Sequence, residues 1–314
     1  MNFLAKCRQR EKIFPSFFNK GLIISARCTI IVVIGMFFVT MGNIMTKNGC
    51  IKDHQKRRGG EKMHDLQKAN MWKRISAALC DFIALSIVIV GVAFLLSLVL
   101  GFDGEMDRLD EISEGYETQF GVDFELSDED YQNLSEEEKE LYEQAMDAFS
   151  ADPEANHILG IIINYSLIML TISTLVAFFL LEFLVPVLFG NGQTLGKKVF
   201  GVAVMHDNHV KLKPFALFVR AILGKYTIET LVPIYIFIMI VFGALGIVGI
   251  AVLIGMLILQ LVVIATSKTN STIHDLLAHT VCVDYASQMI FEDADALVRY
   301  KAERAREAAE QSDY

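Results

Sequence analysis

Trp72-Lys73-Arg74-Ile75-Ser76-Ala77-Ala78-Leu79-Cys80-Asp81 joins a basic entry to an apolar segment, Ile75–Leu100. A segment of that length can cross a bilayer, which takes roughly 20 apolar residues in a helix. Asp81 follows Arg74 by about two helical turns, so both project to one face at ~10 Å spacing. A carboxylate inside such a span costs about 2–3 kcal/mol on insertion scales unless something offsets it. The remaining sequence is read for what supplies that offset.

Of 314 residues, 53% are hydrophobic. Together with a mean hydropathy of +0.42, that is too apolar for an ordinary soluble domain and points to a multi-pass membrane protein. The net charge of −9 conceals an asymmetry. The loop 103–154 holds 20 acidic and 2 basic residues, a net −18, which leaves +9 on the rest of the chain. By the positive-inside tendency the basic segments face the cytoplasm and the acidic loop faces outward. The five cysteines, Cys7, Cys28, Cys50, Cys80 and Cys282, follow no zinc or redox spacing, and no disulfide framework is expected.

Residues 1–62 form an N-terminal extension, in which the uncharged run Cys28–Thr46 is a candidate extra transmembrane helix. The other readings of this stretch are a signal peptide, which lacks a small-residue cleavage site, and a native start at Met63. Core helices are expected at about 75–100, 158–189, 227–244 and 247–266, within a membrane domain spanning 63–285. Between the first two, Ser135 and Glu138 read as a capping box opening one short helix, about 136–149, in a largely mobile loop. That loop is either a negative antechamber for cations or a solvated spacer.

After the second span, Asn191–Lys225 carries Lys197, Lys198, Lys211, Lys213, Arg220 and Lys225 against Asp207. It reads as a small hairpin, 199–205 with 209–213, then an amphipathic helix opened by Pro214. Thr280–Val283 is a further strand candidate that can pair with 199–205. The run Tyr226–Thr266 has Glu229 as its only charge and a glycine-rich stretch, Phe242–Gly249, where it should bend. Two crossings return the chain to the cytoplasm. A single over-long helix would instead put Asp275 on the outer side. Residues 286–314 read as a charged cytoplasmic tail, helical from about Phe291 to Gln311, with i,i+4 pairs such as Asp295–Arg299.

This topology gathers Arg74, Asp81, Glu182, Glu229 and Asp275 at the cytoplasmic third. Ionisable groups inside spans mark ion or proton pathways, or pair to hold helices together. Asp275 would then orient Arg74 or Lys197. Gly192-Gln193-Thr194-Leu195-Gly196-Lys197-Lys198 is superficially like a phosphate loop. It has one residue too few between its glycines and no Ser or Thr after the lysine. It is better read as a tight interfacial turn whose lysines meet anionic headgroups. His274 and His279 flank Asp275 without a third ligand on the same face, so no metal site is expected. No catalytic nucleophile arrangement stands out, so the chain is not read as an enzyme; no cofactor and no nucleic acid is expected.

Arg74 and Asp81, the Gly192–Lys198 block with Gly201-Val202-Ala203-Val204, and His274-Asp275-Leu276-Leu277-Ala278-His279-Thr280-Val281 together resemble the RDD family. The family takes its name from one arginine and two aspartates, here Arg74, Asp81 and Asp275. This chain departs in having His279 where the resemblance leads one to expect glycine, and in its long acidic loop. The resemblance implies a bacterial inner-membrane protein and, since some members are linked to sodium–proton exchange, a candidate cation/proton exchanger or other small-solute transporter. The expected fold class is all-α transmembrane, a four-helix multi-pass bundle with a small cytoplasmic β element. Expected partners are the lipid bilayer and monovalent cations or protons, with a homo-oligomer or protein partner also open. The alternative function is a non-transporting scaffold that holds partners through its acidic loop and tail.

Overall fold

A computed structural model describes residues 69–312, apart from Lys268 and Asn270. The expected extra helix at Cys28–Thr46 lies outside the described residues. The chain divides into two compact units, residues 90–173 and residues 69–89 with 174–312. Helix α1 (Met71–Leu100) contributes to both.

In the first unit, α2 (Phe102–Phe120), α3 (Asp128–Asn133) and α4 (Glu136–Ala151) follow α1. The acidic loop is therefore mostly helical, where one short helix in a mobile loop was expected. Its apolar residues are few but well spaced. Tyr116, Phe120, Phe124, Tyr142, Ala145, Met146 and Phe149 close into one small core. Tyr116 meets Phe149 edge-on with centroids 5.9 Å apart, and Phe124 meets Tyr142 at 5.8 Å. Ser135 and Glu138 do form the capping box of α4. A second core joins Phe102, Met106 and Leu109 to Ile158 and Ile162 of α5 (Pro153–Phe189).

The second unit continues from the end of α5 through a short helix α6 (Leu195–Val199), strand β1 (Val202–His206), α7 (Pro214–Val241) and α8 (Gly246–Thr266). The short helix α9 (Ile273–Leu277), strand β2 (Thr280–Asp284) and α10 (Ala294–Ser312) complete it. Four helices, α1, α5, α7 and α8, are long and apolar enough to cross a membrane. Large apolar side chains such as Ile87, Leu98, Ile247 and Ile258 stay exposed on α1 and α8. Such surface is stable against lipid tails and not against water. The fold is thus a mostly helical multi-pass bundle with a small two-stranded sheet.

Two expectations for this unit change. Pro214 opens a helix, but that helix runs on to Val241, so the amphipathic segment and the third span are one element. Nothing between them breaks it. The turn comes at Phe242–Leu245, where Gly243 takes φ 73, a left-handed conformation that costs a glycine little. α8 then packs back along α7, which rules out the over-long single helix. The sheet also differs. β1 pairs antiparallel with β2, Val204 opposite Cys282, while 209–213 joins β1 through an isolated bridge, Lys211 to Met205, and does not form a strand. Val202, Val204 and Cys282 face one core with Leu212 and Leu217, and Ala203, Met205, Val281 and Val283 face another. Both faces are covered, which is why the strand reads as an unbroken apolar run.

Helices α5 and α7 widen where a proline follows a half-buried glutamate by four residues. Pro186 follows Glu182, and Pro233 follows Glu229. Proline offers no N–H, and its ring crowds the carbonyl four residues back. The chain answers with π-helical turns at Phe179–Leu184 and Val219–Leu231. The Val185 amide reaches back to Leu180 and the Val232 amide to Thr227, five residues each. Such turns concentrate at functional sites.

Candidate functional site: a buried charge cluster

Asp275 is the most deeply buried charge, with its side chain 1% exposed. α9 holds it there by a second capping box, in which Asp275 reaches back to the Thr272 amide. Its Oδ2 accepts from the Thr272 hydroxyl at 3.0 Å, and its Oδ1 accepts from the Thr280 hydroxyl at 3.2 Å. Arg220 of α7 lies 2.8 Å from Oδ1, and Arg74 of α1 lies 3.9 Å from Oδ2. Burial would raise the Asp275 carboxyl, but Arg220, then His274 and Arg74, outweigh it and hold it well below the usual carboxylate range. α9 comes this close to α7 because residue 224 is glycine. A β-carbon there would stand 2.5 Å from His274 Cβ.

The sequence reads Asp81 as part of an ion or proton pathway or of a structural charge cluster with Arg74. Its carboxylate is seated on the turn before α6. Oδ1 accepts from the Gly196 amide at 2.7 Å, and Oδ2 accepts from the Thr194 hydroxyl. Thr194 also caps α6. The turn thus holds an anion with its backbone, and the anion is the chain's own aspartate. Gly196 is required for this: a β-carbon would fall 2.2 Å from the Ala77 carbonyl oxygen. Gly192 serves the same turn at φ 62, and a β-carbon there would fall 2.8 Å from the Val204 carbonyl oxygen. Lys198 points outward over the Phe189 ring, 3.6 Å from its centroid. Lys197 does not share that face. Its half-buried ammonium lies in the field of Lys225, Arg220 and Glu182. Burial, then Lys225 and Arg220, lower it to about 8.

The other two carboxylates each have their own partner. Glu182 accepts from Lys225 at 2.6 Å. Glu229 accepts from His274 Nδ1 at 2.7 Å and from the His274 amide at 3.1 Å. Gln260 of α8 donates to Glu229 at 3.3 Å. All five expected residues therefore stand in one unit, but as separate partnerships and not around Arg74. Arg220, Lys225 and His274 are members that the sequence alone does not single out: Arg220 and Lys225 read as cations of the basic loop, and His274 as a histidine with no metal site. The usable signal was the repeated spacing of glutamate four residues before proline on two spans.

His279 lies outside the cluster, exposed, at φ 51. Its carbonyl accepts from the Asp207 amide at 3.3 Å. A left-handed backbone at this position explains why glycine is the natural expectation there. Among the described residues, no group of three or more His, Cys, Asp or Glu side chains is arranged to hold a metal.

Comparison with curated proteins and with solved structures gave no match. The model of the RDD family matches residues 68–279, a stretch that takes in all four apolar spans and every residue of the charge cluster. On that match, the chain belongs to the RDD family.

Proposed function

We propose that this protein is a proton-coupled transporter of small cations in a bacterial cell membrane, with the charge cluster near the cytoplasmic face as its working part. The observation that carries this reading is His274, which sits between Glu229 at 2.7 Å and Asp275 at 3.7 Å. Histidine is the side chain that changes charge near neutral pH. Here the ring lies between two carboxylates, beside a widened helical turn, among apolar spans. Asp275–Arg220, Glu182–Lys225 and the seat of Asp81 hold the surrounding helices in place around that ring. In this orientation the acidic helical unit lies outside the cell and the tail inside. No catalytic chemistry and no cofactor is assigned. The test is sodium and proton flux in vesicles containing the purified protein and its His274→Gln variant. Loss of coupled flux in the variant is the expected result; flux that is unchanged by the substitution refutes the reading.

A second reading has its own observation. Residues 102–151 fold around an aromatic core and present a dense acidic exterior, which suits a scaffold that holds basic partners. It predicts that deleting 103–154 loses bound proteins without altering flux, and an unchanged set of bound proteins refutes it.

A further inference from the structure

The end of α5 gathers polar groups that do not belong to the charge cluster. Lys198 Nζ stands 3.6 Å from the centroid of the Phe189 ring, on the last residue of the span. Lys211 reaches the next residue: a β-carbon at Gly190 would lie 3.7 Å from its Nζ. The residue after that, Asn191, donates to the Tyr285 hydroxyl at 3.1 Å. Among the described residues, that hydroxyl's own proton has no acceptor. Two ammonium groups, an amide and a phenol thus surround three consecutive residues, Phe189-Gly190-Asn191.

Other lysines of this unit are matched by acids. Lys73 has Asp284 at 2.7 Å, and Lys225 has Glu182 at 2.6 Å. Lys198 has no acid within 4 Å among the described residues. Lys213, at the cap of α7, has none either. Lys211 is 3.2 Å from both oxygens of Glu292, a carboxylate 79% exposed. Cations at a helix C-terminus suit its dipole, but the dipole does not account for the apolar surface around them.

Leu188, Val199 and Phe215 are 73%, 72% and 76% exposed. Leu188 belongs to the span, whereas Val199 lies beyond it, beside Lys198. Phe215 stands in the first turn of α7, which packs against the last turn of α5. Apolar surface therefore continues past the end of the span, and the ammonium groups stand at its margin. Long cationic side chains at such a margin lie along lipid and lift their charge to headgroup level. A free anion would leave the three apolar side chains in water; a lipid covers them with its chains while its phosphate meets the cations. We propose that the turn at 189–191 binds the phosphate of an anionic phospholipid, held by Lys198 and Lys211 and by a hydrogen bond from the Tyr285 hydroxyl. A choline headgroup would bring a further positive charge beside the two lysines, so the site favours lipids of net negative charge.

The site uses neither His274 nor its carboxylates, so it stands or falls independently of the transport reading. The test is native mass spectrometry of the full-length protein in detergent, titrated with phosphatidylglycerol or with phosphatidylcholine of the same acyl chains. We expect phosphatidylglycerol to be retained at roughly tenfold lower concentration, about what two lysines near a membrane surface supply. Lys198→Gln with Lys211→Gln erases the preference. Lys198→Arg with Lys211→Arg keeps it, which separates loss of charge from loss of fold. Glu292→Gln, which frees Lys211, strengthens it. Lys301→Gln, on the exposed helix α10, leaves it unchanged. Equal retention of the two lipids by the wild type overturns the proposal. So does a preference that survives the paired glutamine substitution, or one that Lys301→Gln removes. Excess inorganic phosphate should leave the retained lipid in place; displacement by it would make a free anion the occupant and overturn the assignment to lipid.

Discussion

Replacing Arg220 by Gln should disturb Asp275 far more than replacing Arg74 does. At 2.8 Å, Arg220 both attracts the Asp275 carboxylate and donates a hydrogen bond to it; at 3.9 Å, Arg74 only attracts. Arg220 is also the more buried of the two, its side chain 6% exposed against 19%. Breaking a buried pair by removing one partner costs about 3–5 kcal/mol, because the other charge is stranded. Two threonine hydroxyls and the Thr272 amide remain on Asp275, which favours the lower end. The Arg220–Asp275 coupling is therefore placed at about 3 kcal/mol. For Arg74–Asp275, longer and more hydrated, about 1 kcal/mol is expected. Double-mutant cycles with Asp275→Asn separate these couplings from anything else each arginine touches. The measurement is unfolding in mixed micelles near neutral pH. There the depressed Asp275 carboxyl is fully ionised, and its contribution is lost only as pH falls through its folded value, below the unfolded ~3.9. An Arg74–Asp275 coupling equal to or larger than that of Arg220 would refute this account of the cluster.

Gly196→Ala should unseat Asp81, since a methyl group 2.2 Å from the Ala77 oxygen cannot be accommodated without parting α1 from the turn. The cost is about 3 kcal/mol, the upper range for overpacking, whereas Gly201→Ala, at φ 65 with open space around it, should cost only about 1 kcal/mol of backbone strain; equal melting temperatures for the two variants would count against the seat. Lys197, lowered to about 8, should react with acetic anhydride with a midpoint near that pH. Stability should also rise between about 8 and the unfolded lysine value of ~10.4, because the unfolded chain holds the proton that the folded one has released. A labelling midpoint above about 10 would show Lys197 to be solvated. Hydrogen exchange should find protected amides in α2 and α4, and Phe124→Ala should abolish that protection; free exchange throughout 102–151 in the wild type would return this segment to the status of a mobile loop.

The sequence by itself determined the spans, because hydropathy and length are properties of a local window and lipid imposes them on any fold. It also placed charged residues near the ends of those spans and confined the turn to Phe242–Gly249, within which it falls at Phe242–Leu245. The capping box at Ser135 was local for the same reason, as it closes within one turn. The helical content of the acidic loop was harder to see. Its aromatic residues lie far apart in sequence and make a core only once α2 and α4 pack together. Which charge meets which was decided by tertiary structure alone. Arg220 and Asp275 meet because Gly224 lets α9 approach α7, and Asp81 meets Gly196 because that glycine lets α1 approach the turn. A pairing of this kind depends on the rotation and separation of whole helices, and a change of one ångström selects a different partner. Composition places such groups in the same region; only close packing assigns them to one another.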